Sequence, residues 1–279
     1  MRDQTQPEPR YLFQAAVGRS GSTILRRSIG LHPEIYYNDA ENNLIQEVVG
    51  VAQRNCTMPS RAFAMQVDQQ TYDASFRRLI CDLIWPDQHL GSTHPVHFAA
   101  INPSADNLDY LCQIFPNAKV LCLVRNGLEV ICSRMKFQSF RELEFHSHCQ
   151  TWCRSTDMLD WGERNPDRFF LFRHEWTLES KLVEEKLNEL CAWAGLSSCS
   201  AVVDNIRNVI DCMPTTEVPK DFSEMTDSEK QAYFQAKANR WHNWTPQQRQ
   251  QFIDICGAQM KRLAYEIPFE PPAWSSNAA

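Results

Sequence analysis

No run of apolar residues in this sequence approaches the length of a membrane span, so no spanning helix is expected. Basic residues are not in excess: the formal charge is −6 and the pI about 5.8, which speaks against a general nucleic-acid binder. The cysteines number 11, an odd count, and are scattered from Cys56 to Cys256 without paired spacing. That argues against a disulfide framework and predicts reduced thiols in a cytoplasmic protein. The polar stretch Met1 to Arg10 precedes an apolar run too short for a signal sequence. No internal repeat is present. A metal cage is also missing: His146, His148, Cys149 and Cys153 cluster, but two cysteines one helical turn apart lack the two-knuckle pattern of a four-ligand site.

What is present is a strand-like run, Tyr11 to Val17, that feeds into Gly18-Arg19-Ser20-Gly21-Ser22-Thr23 and then into an amphipathic helix. A strand, a glycine-containing bend and a helix N-terminus together direct backbone N–H groups at an anion. Gly18 and Gly21 allow close approach, Ser20, Ser22 and Thr23 add hydroxyls, and Arg19, Arg26 and Arg27 add positive charge. No acid lies between Gly18 and Leu31. The expected ligand is a phosphate or sulfate ester. The loop is not a Walker A sequence: Ser22 stands where that motif has its Lys, and Ala16 where it has its first Gly. Ordinary ATP or GTP turnover is therefore the weaker expectation.

Apolar runs alternate with helical patterns along the rest of the chain. Lys119 to Val124 reads as a strand buried on both faces, Arg125-Asn126-Gly127 turns into a helix to about Phe137, and a long helix is expected from Arg141 to Arg164. Arg168 to Phe172 reads as the next strand, and Leu182 to Ala194 as a helix stopped by Gly195. Gly91 to Ala100 reads as a loop or short strand. Thr245-Pro246-Gln247-Gln248 carries a capping box and a first-turn proline, opening a helix to about Tyr265. Val218 to Trp244 has no strand pattern and suits a flap. The expected fold is α/β, a three-layer sandwich around a mostly parallel sheet with an α-helical C-terminal part. Residues 1–279 are read as one domain with a loose Pro-rich tail from about residue 268.

These pieces resemble the sulfotransferases that use 3′-phosphoadenosine 5′-phosphosulfate (PAPS), from Tyr11 to about Tyr265. Gly18 to Leu25 followed by His32-Pro33-Glu34-Ile35-Tyr36 is similar to that family's 5′-phosphosulfate loop. Val120 to Asn126, running on to Ser133-Arg134, is similar to its 3′-phosphate site. Phe169 to Glu175, with the helix ending Trp193-Ala194-Gly195-Leu196, matches its next strand–helix unit.

The resemblance implies a fold related to the P-loop kinases and transfer of SO₃ from PAPS to an acceptor hydroxyl, with no metal needed. The acceptor is left open among small molecules, glycans, lipids and peptides, and so is the oligomeric state. The resemblance assigns Gly18, Arg19, Ser20, Gly21, Ser22 and Thr23 to the 5′ end of the donor, and Arg125 and Ser133 to its 3′-phosphate. Arg19 is also a catalytic candidate, since charge grows on the bridging oxygen as the bond to phosphate breaks. For the general base the candidates are Glu41, Asp39 behind it, and His97. Many relatives carry Lys before a Thr/His-Pro element. Thr93 stands there in Gly91-Ser92-Thr93-His94-Pro95-Val96-His97, which shifts weight to Arg19. A nucleotide kinase or hydrolase and an inactive nucleotide-binding relative are the rival readings.

Overall fold

The computed structural model describes residues 9–38, 44–56, 67–85, 94–100, 105–198, 200–212, 225–226, 228–229, 232 and 239–269. Five parallel strands form one sheet: β1 (Arg10–Ala16), β2 (Ile35–Tyr36), β3 (Val96–Ala100), β4 (Ala118–Val124) and β5 (Phe169–Arg173), in the order β2-β3-β1-β4-β5. Apolar residues along β1 and β4 alternate between two cores, as a period of two requires of strands buried on both faces. Phe13, Ala15, Val17, Val120, Cys122 and Val124 enter one core, while Leu12, Ala16, Leu121 and Leu123 enter the other.

The described helices are α1 (Ser22–Ile29), α2 (Leu44–Cys56), α3 (Gln69–Ile84), α4 (Ala105–Ile114), α5 (Gly127–Lys136), α6 (Phe145–Thr156), α7 (Met158–Arg164), α8 (Ser180–Ala194), α9 (Ser200–Cys212) and α10 (Pro246–Arg262). Helices α1, α8 and α9 cover one face of the sheet through Leu25, Ile29, Val183, Leu187, Val202 and Ile206. Residues of α2 to α7 and α10, among them Ile45, Ile80, Leu111, Val130, Trp161 and Phe252, fill the opposite core. This is the expected three-layer arrangement. No helix among the described residues is long and apolar enough to cross a membrane.

Two expectations change in detail. The helix expected from Arg141 to Arg164 is two helices: α6 begins only at Phe145, and Asp157 separates it from α7. Gly91 to Ala100 resolves into β3 at Val96, paired with β1 from Arg10↔Val96 to Gln14↔Ala100. Most of Val218 to Trp244 and the tail beyond residue 269 lie outside the described residues, and two other local signals act as read. Gly195 stops α8 with φ 71°, and Thr245 and Gln248 close the capping box of α10.

The sheet order decides where ligands meet the fold. β1 sits in the middle, with β3 on one side and β4 on the other. Helices leave β1 and β4 at their C-terminal ends, so the loops after Ala16 and Val124 lie side by side where strand order reverses.

Candidate anion site at the ends of two adjacent strands

The loop after β1 is built by backbone geometry. The Ser20 amide donates to the Val17 carbonyl at 3.2 Å, closing the bend. Gly21 takes φ 90° as the residue that starts α1, and its missing side chain is needed twice. That φ disfavours any Cβ, and a Cβ there would lie 2.5 Å from Nδ1 of His174. Ile24 and Leu25 are the first amides of α1 bonded back to the Gly21 carbonyl. Those of Ser22 and Thr23 precede them at the open helix end, where the dipole favours an anion. The first turn of α1 contains no acid to compete for that position. Gln14, buried in β1, fixes the loop from beneath by donating Nε2 to the Ser22 carbonyl at 3.1 Å.

Arg19 holds φ 79°, a left-handed conformation that costs an ordinary side chain about 1–3 kcal/mol. The surroundings that impose it also aim its guanidinium. Nε donates to Ser133 Oγ at 3.1 Å, and the guanidinium carbon lies 4.5 Å over the ring of Phe137. Ser20 is fully buried, and its Oγ has no hydrogen-bond partner among the described residues.

The loop after β4 is tied down as firmly. Asn126 caps α5 by accepting from the Leu128 amide at 3.0 Å. The Asn126 amide donates to Glu175 at 2.9 Å, and Tyr265 donates to the other oxygen of the same carboxylate at 2.9 Å. Burial raises the Glu175 pKa, opposed by the Asn126 amide and the Tyr265 hydroxyl. Arg125 makes a fork with Glu129, at 2.7 Å from Nε and 2.5 Å from its terminal nitrogen, with both side chains mostly shielded. Its backbone carbonyl accepts from Trp152 Nε1 at 3.1 Å. A second terminal nitrogen of Arg125 reaches the Arg19 carbonyl at 3.3 Å.

The structure therefore brings Gly18, Arg19, Ser20, Gly21, Ser22, Thr23, Arg125 and Ser133 into one contiguous region. It does not bring His97 there. His97 pairs with Tyr11 near the start of β1, and the run from Tyr11 to Val17 spans about 20 Å of strand before the loop begins. Its ring packs against those of Tyr11, Tyr36 and Trp85, and burial pushes its pKa down to about 4, helped by His94. His94, 6.0 Å from the Tyr36 ring, lies at the same end of β3. The end of β3 that faces the loop is the one after Ala100. Asp39, Glu41 and Thr93 lie outside the described residues.

Sequence reasoning passed over three neighbours of the loop. His174 packs on Gly21, its pKa held well below the usual value by burial and then by Arg125. Glu175 ties the β4 loop to the end of α10. Arg134 is buried on α5 with its guanidinium beside Gly18. Arg134 follows Ser133 directly, but charged side chains are expected at the surface, and nothing in the sequence signals its burial.

Residues 12–199 match a family model described as "Sulfotransferase family". Protein-tyrosine sulfotransferase 2 of Gallus gallus is 29% identical over 179 residues, covering 57% of this chain and 45% of the relative. Protein-tyrosine sulfotransferase 1 of Homo sapiens is 25% identical over 160 residues, covering 53% and 41%. The match thus spans less than half the length of these curated relatives. Among solved structures, the sulfotransferase domain of the Synechococcus PCC 7002 olefin synthase superposes with a TM-score of 0.58 at 18% identity, covering 95% of this chain and 98% of that one. This last likeness is one of fold.

Proposed function

We propose a reaction for a chain that belongs to the sulfotransferase family: transfer of the sulfuryl group of PAPS to an acceptor hydroxyl. One observation carries it. The β1 loop is joined to helix α5 and to the β4 loop by two hydrogen bonds, Arg19 to Ser133 and Arg125 to the Arg19 carbonyl. A ligand with anionic groups at two positions, as a 3′-phosphorylated nucleotide phosphosulfate has, suits two adjoining anion sites.

In this reading the amides of Ser22 and Thr23 and the guanidinium of Arg19 take the 5′-phosphosulfate, and Arg125 with Ser133 takes the 3′-phosphate. The bond between sulfur and the bridging oxygen breaks as a bond from the acceptor oxygen forms. Negative charge collects on the bridging oxygen, where donors fixed in advance favour the transition state over the ground state. The acceptor proton passes to a carboxylate, for which Glu41, with Asp39 second, is our assignment. The charge to be stabilised is met by amides, hydroxyls and arginines, so the reaction as drawn needs no metal. Ser22, in place of a Walker lysine, speaks against a kinase or hydrolase. The odd cysteine count supports a reducing, cytoplasm-like setting.

The test is incubation with sulfur-labelled PAPS and a pooled panel of hydroxyl acceptors. The relatives' names make tyrosine peptides the first members of that panel, beside phenols, sugars and lipids. Label transferred to any acceptor supports the proposal. Tight nucleotide binding with no transfer across the panel favours an inactive relative instead.

A further inference from the structure

Arg134 is a buried charge with no opposite charge to meet it among the described residues. It sits in the last turn of α5 and is 4% exposed. One terminal nitrogen lies 3.4 Å from the position a Cβ on Gly18 would take, so the guanidinium abuts the start of the anion loop. The guanidinium carbon lies 4.3 Å over the ring of Phe140. Nε has no hydrogen-bond partner among the described residues. Burial alone pulls the pKa of this group down, with no carboxylate acting against it. His148, buried nearby, is pushed toward its neutral form by burial and then by Arg134 itself.

The energies do not balance without a ligand. A desolvated cation–π contact contributes about 2 kcal/mol. Removing a guanidinium from water costs several kcal/mol, and its donors remain to be satisfied. Phe140 therefore offsets only part of the cost. A second cation worsens the imbalance. Arg19 stacks on Phe137, whose ring is 5.4 Å from that of Phe140, so two guanidinium groups share one aromatic platform beside the loop. Such a pair is stabilised when an anion joins it. The 5′ end of the proposed donor carries two anionic groups, a phosphate and a sulfuryl. Arg19 and the α1 amides supply donors for one of them, and Arg134 stands beside Gly18 with donors for the other.

We infer that Arg134 is a substrate-binding residue that grips the free oxygens of the donor's sulfuryl group while the loop holds the 5′-phosphate; this rests on the sulfuryl-transfer reading above. It places the sulfuryl group at the Gly18 end of the anion loop, beside the Arg134 guanidinium. It also explains why the chain keeps a costly buried cation where an apolar side chain of similar length would pack.

The test compares PAPS with 3′,5′-bisphosphoadenosine, which lacks the sulfuryl group. Binding of each is measured calorimetrically for the wild type, Arg134→Met and Arg134→Lys, beside thermal melting of the free proteins. Arg134→Met is expected to weaken PAPS binding about tenfold or more and bisphosphate binding less than about threefold, as loss of one charge-assisted contact implies. Arg134→Lys should fall between. The melting temperature of free Arg134→Met should equal or exceed that of the wild type, because an unpaired buried charge is gone. Equal losses for both nucleotides, a melting temperature lowered by several degrees, or a change confined to the acceptor KM would each overturn the inference. A wild type that binds 3′,5′-bisphosphoadenosine but gains nothing from the sulfuryl group would overturn it and leave the two-site nucleotide reading standing. A wild type that binds neither nucleotide would overturn both.

Discussion

Arg19 Nε donates to Ser133 Oγ at 3.1 Å across a sequence separation of 114 residues. The bond joins a loop after one strand to a helix after its neighbour, and Arg125 returns the connection by donating to the Arg19 carbonyl. Neither contact is needed to close either loop, since Ser20 and Val17 close the first and Asn126 caps the second. What the two contacts do is set the spacing between the β1 loop and the Arg125–Ser133 region. That spacing is the physical basis for reading the region as one site for a doubly anionic ligand.

Gly21→Ala is expected to abolish nucleotide binding with only partial loss of fold stability. The new Cβ would meet Nδ1 of His174 at 2.5 Å while the backbone stays at φ 90°. Clash and strain together cost about 2–4 kcal/mol. Adding His174→Ala removes the clash and leaves the strain. The double variant should therefore melt above the single one and still bind nucleotide poorly. Full recovery of binding would show that the left-handed conformation of Gly21 does not matter.

Stability should fall on mild acidification. His97 has a pKa near 4 in the folded protein, against about 6.5 when unfolded. The unfolded chain therefore binds more protons between those values. Its contribution is fully present above about pH 6.5 and is lost as pH falls towards 4. Between about pH 7 and about pH 5 the change amounts to about 2 kcal/mol from this residue. Buried His174, shifted in the same direction, adds to it. Urea unfolding at the two pH values measures the difference, and His97→Phe should reduce it. An unchanged difference in that variant would place the pH dependence elsewhere.

Glu41→Gln should lower kcat by about 100-fold or more while leaving the dissociation constant of 3′,5′-bisphosphoadenosine within about twofold, as removal of a general base requires. Asp39→Asn should have a much smaller effect. The reverse ranking would move the base to Asp39, and no effect from either would remove both from the reaction.

How much of this was legible in the sequence follows from which physics is local. The β1 loop was readable because glycine bends, hydroxyls and a missing acid are properties of adjacent residues. Strands β4 and β5 were readable because burial on both faces leaves continuous apolar runs. The contacts of Arg125 and Ser133 with Arg19 depend on β1 and β4 being neighbours, which no local signal reports. His97 was misplaced for a definite reason. In a parallel sheet the chemistry collects at the C-terminal ends of strands, and β3 begins only at Val96, so His94 and His97 fall at its opposite end. The break at Asp157 escaped because both flanking segments carry helical spacing. Arg134 escaped because its burial is created by Phe140 and Gly18, which sequence alone does not bring together.

The most direct measurement is calorimetric titration of the wild type and Arg125→Ala with 3′,5′-bisphosphoadenosine and with adenosine 5′-phosphate. If Arg125 holds a 3′-phosphate, the wild type binds the bisphosphate more tightly, and the variant loses about 10- to 100-fold for the bisphosphate and little for the monophosphate. Equal losses for the two nucleotides, or no preference in the wild type, would contradict the account.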